Sequence, residues 1–190
     1  MAKQWGNLVG HHAACTCCAA LIDPHCSRRR FLQVTASGVT AAALVPWYAL
    51  AANGKYEAMV LACIDPRFQD LVSKYTAGRH LTGTYSQFTI AGASIGVVAP
   101  AFQDWHKTFW DNLEASIQLH SIDQVIVINH RDCGAAKIAY GEAAVADPAA
   151  ETKTHRDALA EFRKQLAARH PQLGVETGLM ALDGTFEVMS

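Results

Sequence analysis

The sequence predicts an α/β fold with a mainly parallel β-sheet flanked by helices. Three short apolar runs, at 57–64, 85–94 and 123–130, alternate with stretches in which apolar residues recur at helical spacing. Strands that alternate with helices form βαβ units, whose right-handed crossovers build a parallel sheet. The composition is globular, with 51% hydrophobic residues among 190 and a net charge of −1. This charge gives no electrostatic reason to expect a nucleic-acid partner.

The first half of the predicted fold is a strand, a helix and a second strand. The run "EAMVLACI" at 57–64 has the length and composition of a strand buried on both faces. Apolar side chains from Phe68 to Tyr75 recur at helical spacing, and Gly78 supplies a stop. The run "YSQFTIAGAS" at 85–94 predicts a second strand that ends in a glycine-containing loop.

The second half continues the alternation and closes with a hairpin. "DQVIVINH" at 123–130 is the clearest strand, and an amphipathic helix is expected to end at residues 169–171. An Asp-Gly turn at 183–184 lies between two further strand-like runs and predicts a hairpin. A long helix should precede "DQVIVINH", with an aromatic and aliphatic stripe on one face. The stripe comprises Phe102, Trp105, Phe109, Trp110, Leu113 and Ile117.

The N-terminal segment has a different character. Residues 27–52 contain paired arginines, then Phe31-Leu32, a weakly apolar stretch and an Ala-x-Ala at 49–51. This order resembles a twin-arginine export signal with a cleavage site. The resemblance implies the twin-arginine export machinery as a partner and a periplasmic or otherwise exported location. We expect residues 1–52 to form a leader and residues 53–190 to form the folded domain.

Two alternatives remain open for this segment. An uncleaved membrane anchor is one, although the apolar run is barely long enough to span a bilayer and contains polar and proline residues. A metal or redox cluster is the other, because histidines lie near four cysteines. The segment has no core-forming periodicity, which favours a solvated leader. These cysteines are Cys15, Cys17, Cys18 and Cys26.

The remaining two cysteines lie where predicted strands end. Cys63 closes the first strand, and His130 and Cys133 close the third, with Gly134 permitting a turn. In open parallel sheets, ligands bind at the carboxyl ends of strands, so these side chains are expected to be neighbours. Two thiolates and one imidazole leave the fourth tetrahedral position open, as in catalytic zinc sites.

Simpler interpretations compete with a metal site. Cys63 and Cys133 could be inert core residues, or they could form a disulfide in an oxidising compartment. Asp65 and Arg67, two and four residues beyond Cys63, could form a structural salt bridge. His130 could be an ordinary polar residue at a strand end. All five residues at one strand edge favour the metal site over each of these alternatives.

The two motifs resemble those of the β-class carbonic anhydrases. C-x-D-x-R at 63–67 and H-x-x-C-G at 130–134 have the order and separation found in that family, and "IAGAS" at 90–94 is similar to its Ala-Gly loop. The resemblance covers residues 56–140 well. Within it, Pro66 replaces a small residue, and the Arg-Asn that commonly precedes Ala-Gly is replaced by Thr-Ile.

The resemblance implies a site and a reaction. Cys63, His130 and Cys133 would ligate one Zn2+ per chain, and Asp65 and Arg67 would form the catalytic dyad beside the open position. A zinc-bound hydroxide would hydrate CO2 reversibly to bicarbonate, in a homodimer or a higher homo-oligomer. With such an oligomer, we expect part of the aromatic stripe to pack against a partner subunit. The changed pocket wall leaves open a hydrolase of carbonyl sulfide (COS) or carbon disulfide (CS2) on the same scaffold. A non-catalytic zinc or redox protein is a further alternative.

Overall fold

Five strands form one sheet in the computed structural model, which describes residues 55–190. They are β1 (Ala58–Ala62), β2 (Tyr85–Thr89), β3 (Gln124–His130), β4 (Gly174–Met180) and β5 (Phe186–Val188). Their order across the sheet is β2-β1-β3-β4-β5. The first four strands are parallel, and β5 runs antiparallel to β4. The predicted α/β fold with a mainly parallel sheet is therefore confirmed.

Five helices connect and flank the strands. They are α1 (Gln69–Gly78), α2 (Ser94–Val98), α3 (Gln103–His120), α4 (Gly134–Tyr140) and α5 (Pro148–Arg169). Helix α1 ends at the glycine that the sequence marks as a stop. Helix α5 begins well before its apolar stripe, because the Asp147 carboxylate accepts hydrogen bonds from the N–H groups of Ala149 and Ala150. Pro148 at the first helical position favours the same start.

The central strands are buried on both faces. Every residue of β1 is buried, as the uninterrupted apolar run predicts. In β3, Val125 and Val127 pack with side chains of α3 and α5 on one face of the sheet. Ile126 and Ile128 pack with Phe68 on the other face. Helices thus cover both faces, and the sheet edges where strands end remain available for a site.

The C-terminal hairpin forms as predicted. Strands β4 and β5 pair antiparallel around a turn in which Gly184 has a φ of 92°. Gly178 lies under the ring of Phe186, and a Cβ at Gly178 would lie 2.2 Å from that ring. The hairpin extends the sheet past the parallel strands by close backbone–ring packing.

The predicted leader, residues 1–52, lies outside the described residues, and so do its four cysteines. Both the leader and its alternatives therefore stay predictions. Among the helices of residues 55–190, none combines the length and the apolar character that a membrane span requires.

Candidate metal centre

Three ligand atoms converge where β1 and β3 end. The Sγ atoms of Cys63 and Cys133 and a ring nitrogen of His130 lie within 4.8 Å of one another. All three side chains are buried. Cys63 follows β1 directly, while His130 is the last residue of β3, and the two strands are parallel neighbours. We call these three residues the metal centre.

The turn that returns the chain to the metal centre lies two residues earlier than the sequence suggests. Asp132 has a φ of 56°, in the left-handed region, whereas Gly134 is the first residue of α4. The expectation that Gly134 supplies the turn is therefore wrong. Aspartate tolerates this conformation better than most residues, because its short polar side chain can bond locally. Cys133 then precedes α4 with extended backbone.

The imidazole of His130 is held in a ligating tautomer. Its Nδ1 lies 2.8 Å from the carbonyl oxygen of Arg131, to which only an N–H can donate. Nε2 therefore carries the lone pair, and it has no hydrogen-bond partner within residues 55–190. The ring also stacks on Phe68, with 4.7 Å between centroids. This arrangement fits a metal, since ligating histidines usually donate their other ring N–H to a carbonyl or carboxylate.

The two thiols are close and free. Cys63 and Cys133 are both free, so the disulfide alternative does not hold in this structure. A hydrogen bond from Cys133 lowers the pKa of Cys63, burial opposes that shift, and the Gly92 N–H adds to the lowering. That N–H donates to the Cys63 Sγ over 3.2 Å. The backbone of the loop after β2 thus approaches a ligand atom directly at Gly92.

The donor set fits a divalent metal ion. Two sulfurs and one imidazole nitrogen are the ligands that zinc and similar borderline-soft ions prefer. The buried Nε2 of His130 would otherwise lose its hydrogen bond to water without compensation. Three protein ligands leave one tetrahedral position for solvent or substrate. The described residues therefore form a Cys2His site that could hold a metal.

Asp65 and Arg67 form a two-pronged ion pair beside the metal centre. Nε and Nη2 of Arg67 donate to the two carboxylate oxygens of Asp65, at 3.1 and 2.8 Å. Hydrogen bonds from the Arg67 side chain lower the pKa of Asp65 to about 2; burial opposes this shift, and the Arg67 backbone N–H adds to it. Asp65 is therefore an ionised acceptor at neutral pH. Its carboxylate faces Arg67 and is not one of the three converging ligands.

Arg67 also ties the two ligand loops together. Its Nη1 donates to the Asp132 carboxylate at 2.7 Å, and its Nη2 donates to the Asp132 carbonyl at 3.1 Å. Gln69, which sequence reasoning missed, donates through Nε2 to the carbonyl oxygens of Cys63 and Asp65. The loop that contains Pro66 is thus fixed by side-chain contacts on both sides.

Two cavities meet beside Asp65. The larger, of about 570 Å³, has a polar wall with both charges. The smaller, of about 320 Å³, is mostly apolar and reaches Cys63. The polar cavity is lined by residues that include Asp65, Arg67, Arg131, Asp132, Lys137 and Glu151. The apolar cavity is lined by residues that include Cys63, Ile64, Asp65, Pro66, Trp105 and Ile138.

The aromatic stripe of α3 divides into a buried and an exposed part. Phe109 is fully buried, and Trp110 stacks on Phe162 of the same chain. Trp105 is 40% exposed and stacks on Phe102, with ring centroids 4.4 Å apart. The expected subunit contact can therefore involve Trp105, whereas Phe109 and Trp110 belong to the core of the chain.

Four histidines are candidates for a proton shuttle by residue type alone, and the sequence does not distinguish among them. His155 is the informative case, because the sequence suggests an ordinary helix-face position and the structure buries it completely. It contacts Asn129, a buried amide that sequence reasoning also missed. A polar residue inside the apolar strand "VIVINH" is the pattern that could have revealed it. The four histidines are His80, His106, His120 and His155.

A parallel sheet with a Cys2His set at the ends of two adjacent central strands defines an α/β protein with a candidate metal site. The family model described as "Putative carbonic anhydrase" matches residues 53–172. The chain belongs to this family, and the resemblance noted from the motifs is confirmed.

Two curated proteins are similar to this chain in sequence. An uncharacterized protein of Rickettsia bellii is 34% identical over 129 residues, which cover 68% of this chain and 79% of that protein. An uncharacterized protein of Rickettsia conorii is 33% identical over 129 residues, which cover 68% of this chain and 69% of that protein.

Among solved structures, the β-carbonic anhydrase CcaA has a TM-score of 0.53 at 12% identity, covering 75% of this chain and 77% of that one. A tetrameric β-carbonic anhydrase of Sordaria macrospora has a TM-score of 0.51 at 10% identity, and the match covers 76% of this chain and 85% of that one. At these identities, the likeness shows that this chain has the β-carbonic anhydrase fold.

Proposed function

We propose that this protein is a zinc-dependent carbonic anhydrase that interconverts CO2 and bicarbonate. The observation that carries the proposal is the convergence of Cys63, His130 and Cys133 beside an ionised Asp65. Family membership supports it independently. A purely structural zinc site would have four protein ligands, whereas this set has three.

Cys63, His130 and Cys133 would hold one Zn2+ per chain. A Zn2+ ion bound there would lower the pKa of a coordinated water to roughly 7, so that hydroxide is available near neutral pH. The His130 tautomer fixed by the Arg131 carbonyl presents Nε2 to the ion without rearrangement. The Gly92 N–H stabilises negative charge on the Cys63 sulfur.

Asp65 would orient the reacting solvent. As a carboxylate, it can only accept hydrogen bonds, so a proton of the attacking water or hydroxide points to its oxygens and a lone pair points elsewhere. Arg67 holds this carboxylate in place through the bidentate pair and keeps it ionised. The position of the dyad between the two cavities suits this role.

The cavities suit the substrate and the product. CO2 is linear and apolar, and the cavity lined by Ile64, Trp105 and Ile138 offers it an apolar wall next to Cys63. Bicarbonate is an anion, and the other cavity offers the cationic side chains of Arg131 and Lys137. This division lets one species enter as the other leaves.

We also propose a homo-oligomer. Ile64, Trp105 and Ile138 are 58%, 40% and 73% exposed, which is unusual for large apolar side chains that share one cavity. The Sordaria macrospora neighbour is described as tetrameric. Sedimentation velocity on the full chain should give a dimer or a higher multiple, and Trp105→Glu should shift the distribution toward a monomer. A wild-type monomer at all concentrations would refute the proposal.

Export through the twin-arginine pathway is a further part of the proposal. It depends on the sequence Ser-Arg-Arg-x-Phe-Leu at 27–32 and the Ala-x-Ala at 49–51. Cell fractionation should find the protein outside the cytoplasm, and changing both Arg28 and Arg29 to lysine should retain it inside. Equal fractionation of the two proteins would exclude this pathway.

Stopped-flow hydration of CO2 by purified, zinc-loaded protein tests the enzymatic proposal. Activity above that of free Zn2+ at the same concentration is expected, with one zinc per chain by elemental analysis. Parallel assays for sulfide released from COS and CS2 identify the alternative substrates. Stoichiometric zinc without hydration of CO2 would overturn the proposal.

A further inference from the structure

A second polar cluster lies on the opposite face of the sheet from the His130 ring. It consists of Ser94, Asn129 and His155, which are 0%, 1% and 0% exposed. The N–H and Oγ of Ser94 lie 3.1 and 2.9 Å from the Asn129 Oδ1, and the Asn129 Nδ2 lies 3.0 Å from the His155 Nδ1. Most buried polar groups are hydrogen-bonded, and these contacts pair every side-chain polar group of the cluster except the Nε2 of His155, which has no partner among residues 55–190.

The donors and acceptors in this cluster can be assigned. A backbone N–H only donates, so the Ser94 N–H requires an oxygen at Oδ1 of Asn129. The amide nitrogen then faces His155 and donates to Nδ1, which must carry a lone pair. His155 is therefore neutral with its proton on Nε2. It fixes the orientation in which the amide can accept from Ser94.

The cluster holds a strained turn. Gly92 has a φ of 80°, and the next residue, Ala93, has a φ of 51° and a ψ of −113°. An alanine in this conformation is strained and persists only when its surroundings impose it. Ser94 follows directly and is anchored to Asn129 by two hydrogen bonds. On the other side of Ala93, the Gly92 N–H donates to the Cys63 Sγ.

We propose that Asn129 is a positioning residue of the metal centre, which holds the Gly92–Ser94 turn so that the Gly92 N–H reaches the Cys63 sulfur, with His155 fixing the amide. The inference rests on the proposed function, because only a zinc protein would have a metal ion bound to the Cys63 sulfur. The path runs from α5 through Asn129 to the loop after β2 and ends at a ligand. Asn129 also directly precedes the ligand His130, on the other face of β3.

The consequence is a change in the donor strength of one ligand. An N–H that bonds to a thiolate stabilises its charge, and losing this bond leaves the sulfur more basic and less fixed in position. Outer partners of metal ligands typically contribute about 10–100-fold to metal affinity. Deleting the Asn129 amide should therefore weaken metal binding although Asn129 touches no ligand atom of the centre.

The test compares three variants of the full chain. Asn129→Ala removes the acceptor for Ser94, and Ser94→Ala removes only the hydroxyl hydrogen bond. Thr177→Val is the matched control, because Thr177 is equally buried, faces the same side of the sheet on the adjacent β4 and bonds to α5. Each protein is measured for Zn2+ affinity by chelator competition, for the sulfur-to-cobalt charge-transfer band with Co2+, and for hydrogen exchange of the Gly92 amide without metal.

The expected result is a graded effect confined to the Asn129 path. Asn129→Ala should weaken Zn2+ binding about 10–100-fold, shift the cobalt band and speed exchange at Gly92, with Ser94→Ala changing in the same direction by less. Thr177→Val should stay within about twofold of wild type in all three, although its stability falls. If Asn129→Ala does not fold, the comparison of Ser94→Ala with wild type and Thr177→Val tests the inference.

Two failures are distinguishable. Wild-type affinity, spectrum and Gly92 exchange in Asn129→Ala and Ser94→Ala overturn the inference and leave the proposed function intact. Wild-type protein that binds neither Zn2+ nor Co2+ overturns both.

Discussion

The metal centre and the C-terminal hairpin both contain buried polar groups, but the metal centre leaves one ring nitrogen without a partner among residues 55–190. In the hairpin, Arg163 donates to Thr177 Oγ1 at 2.6 Å and to the carbonyl oxygen of Met189 at 2.7 Å. The hydroxyl of Thr177 donates to the same carbonyl. At the metal centre, His130 Nε2 has no partner among residues 55–190.

The comparison separates polar groups that pair within the fold from a nitrogen that faces two thiols without a partner; Trp110 Nε1 and His155 Nε2 are also unpaired among residues 55–190, but no other ligand atoms converge on them. An unpaired buried donor or acceptor costs about 1–3 kcal/mol, so it persists only where something offsets the cost. Positive φ angles at Ala93 and Asp132 accompany the unpaired nitrogen. The backbone near the metal centre therefore carries strain as well, which is typical of functional sites.

The largest expected effect comes from removing a ligand. Cys133→Ser replaces a thiol with a hydroxyl that does not ionise near neutral pH, so zinc should fall below about 0.1 per chain. CO2 hydration should fall about 1,000-fold in kcat/KM, measured by stopped flow. Thr177→Val, which changes the hairpin instead, should keep one zinc per chain. Full zinc in Cys133→Ser would show that the three-ligand assignment is wrong.

The next largest effect distinguishes Asp65 from Asp132, the two carboxylates that bind Arg67. Asp65→Asn should retain zinc and lower kcat about 100-fold, because an amide offers a donor where the mechanism needs only acceptors. Asp132→Asn removes the more exposed partner, whose side chain is 74% exposed. It should change kcat less than about threefold. Equal losses in both variants would mean that the ion pair is structural.

On the hairpin side, a smaller loss in stability is expected. Thr177→Val leaves one hydrogen bond of Arg163 unmade and should lower the free energy of unfolding by about 1–2 kcal/mol. Urea denaturation measures the change, and CO2 hydration at 25 °C should stay at the wild-type rate. A loss of activity without a loss of stability would contradict the separation of the two regions.

The smallest effect concerns a partly exposed network that joins α1 to β4. Arg79 donates to both carboxylate oxygens of Glu176, and this contact lowers the pKa of Glu176. Glu176→Gln should cost about 1 kcal/mol near pH 7.

The lowered pKa of Glu176 determines how its contribution to stability changes with pH. A carboxyl with a lowered folded-state pKa stabilises the fold above the unfolded-state value, near 4.3, and loses that effect as pH falls through the folded-state value. The stability difference between wild type and Glu176→Gln should therefore be constant from pH 7 to pH 5, shrink as the pH falls further and vanish below the folded-state pKa of Glu176. An undiminished difference at pH 3 would contradict the ion-pair origin.

Much of the fold could be predicted from local patterns. The apolar runs mark β1 and β3, and Gly78 marks the end of α1. Boundaries were less predictable, because "LACI" and "TIAGAS" continue the strand pattern while the chain already turns toward the metal centre. Helix α5 also begins earlier than its apolar stripe, since Asp147 and Pro148 decide its start.

For the metal centre, the sequence determined which residues could meet, and the tertiary structure decided what surrounds them. Cysteines and histidine at the ends of two apolar runs are sufficient to predict neighbouring ligands, because parallel strands end at the same edge. The Asn129 path, the tautomer of His130 and the exposure of Trp105 depend on the packing of α5, of the loop after β2 and of α3. Local periodicity carries no information about hydrogen bonds between residues 26 or 35 positions apart, since such contacts exist only once the sheet and its helices have packed.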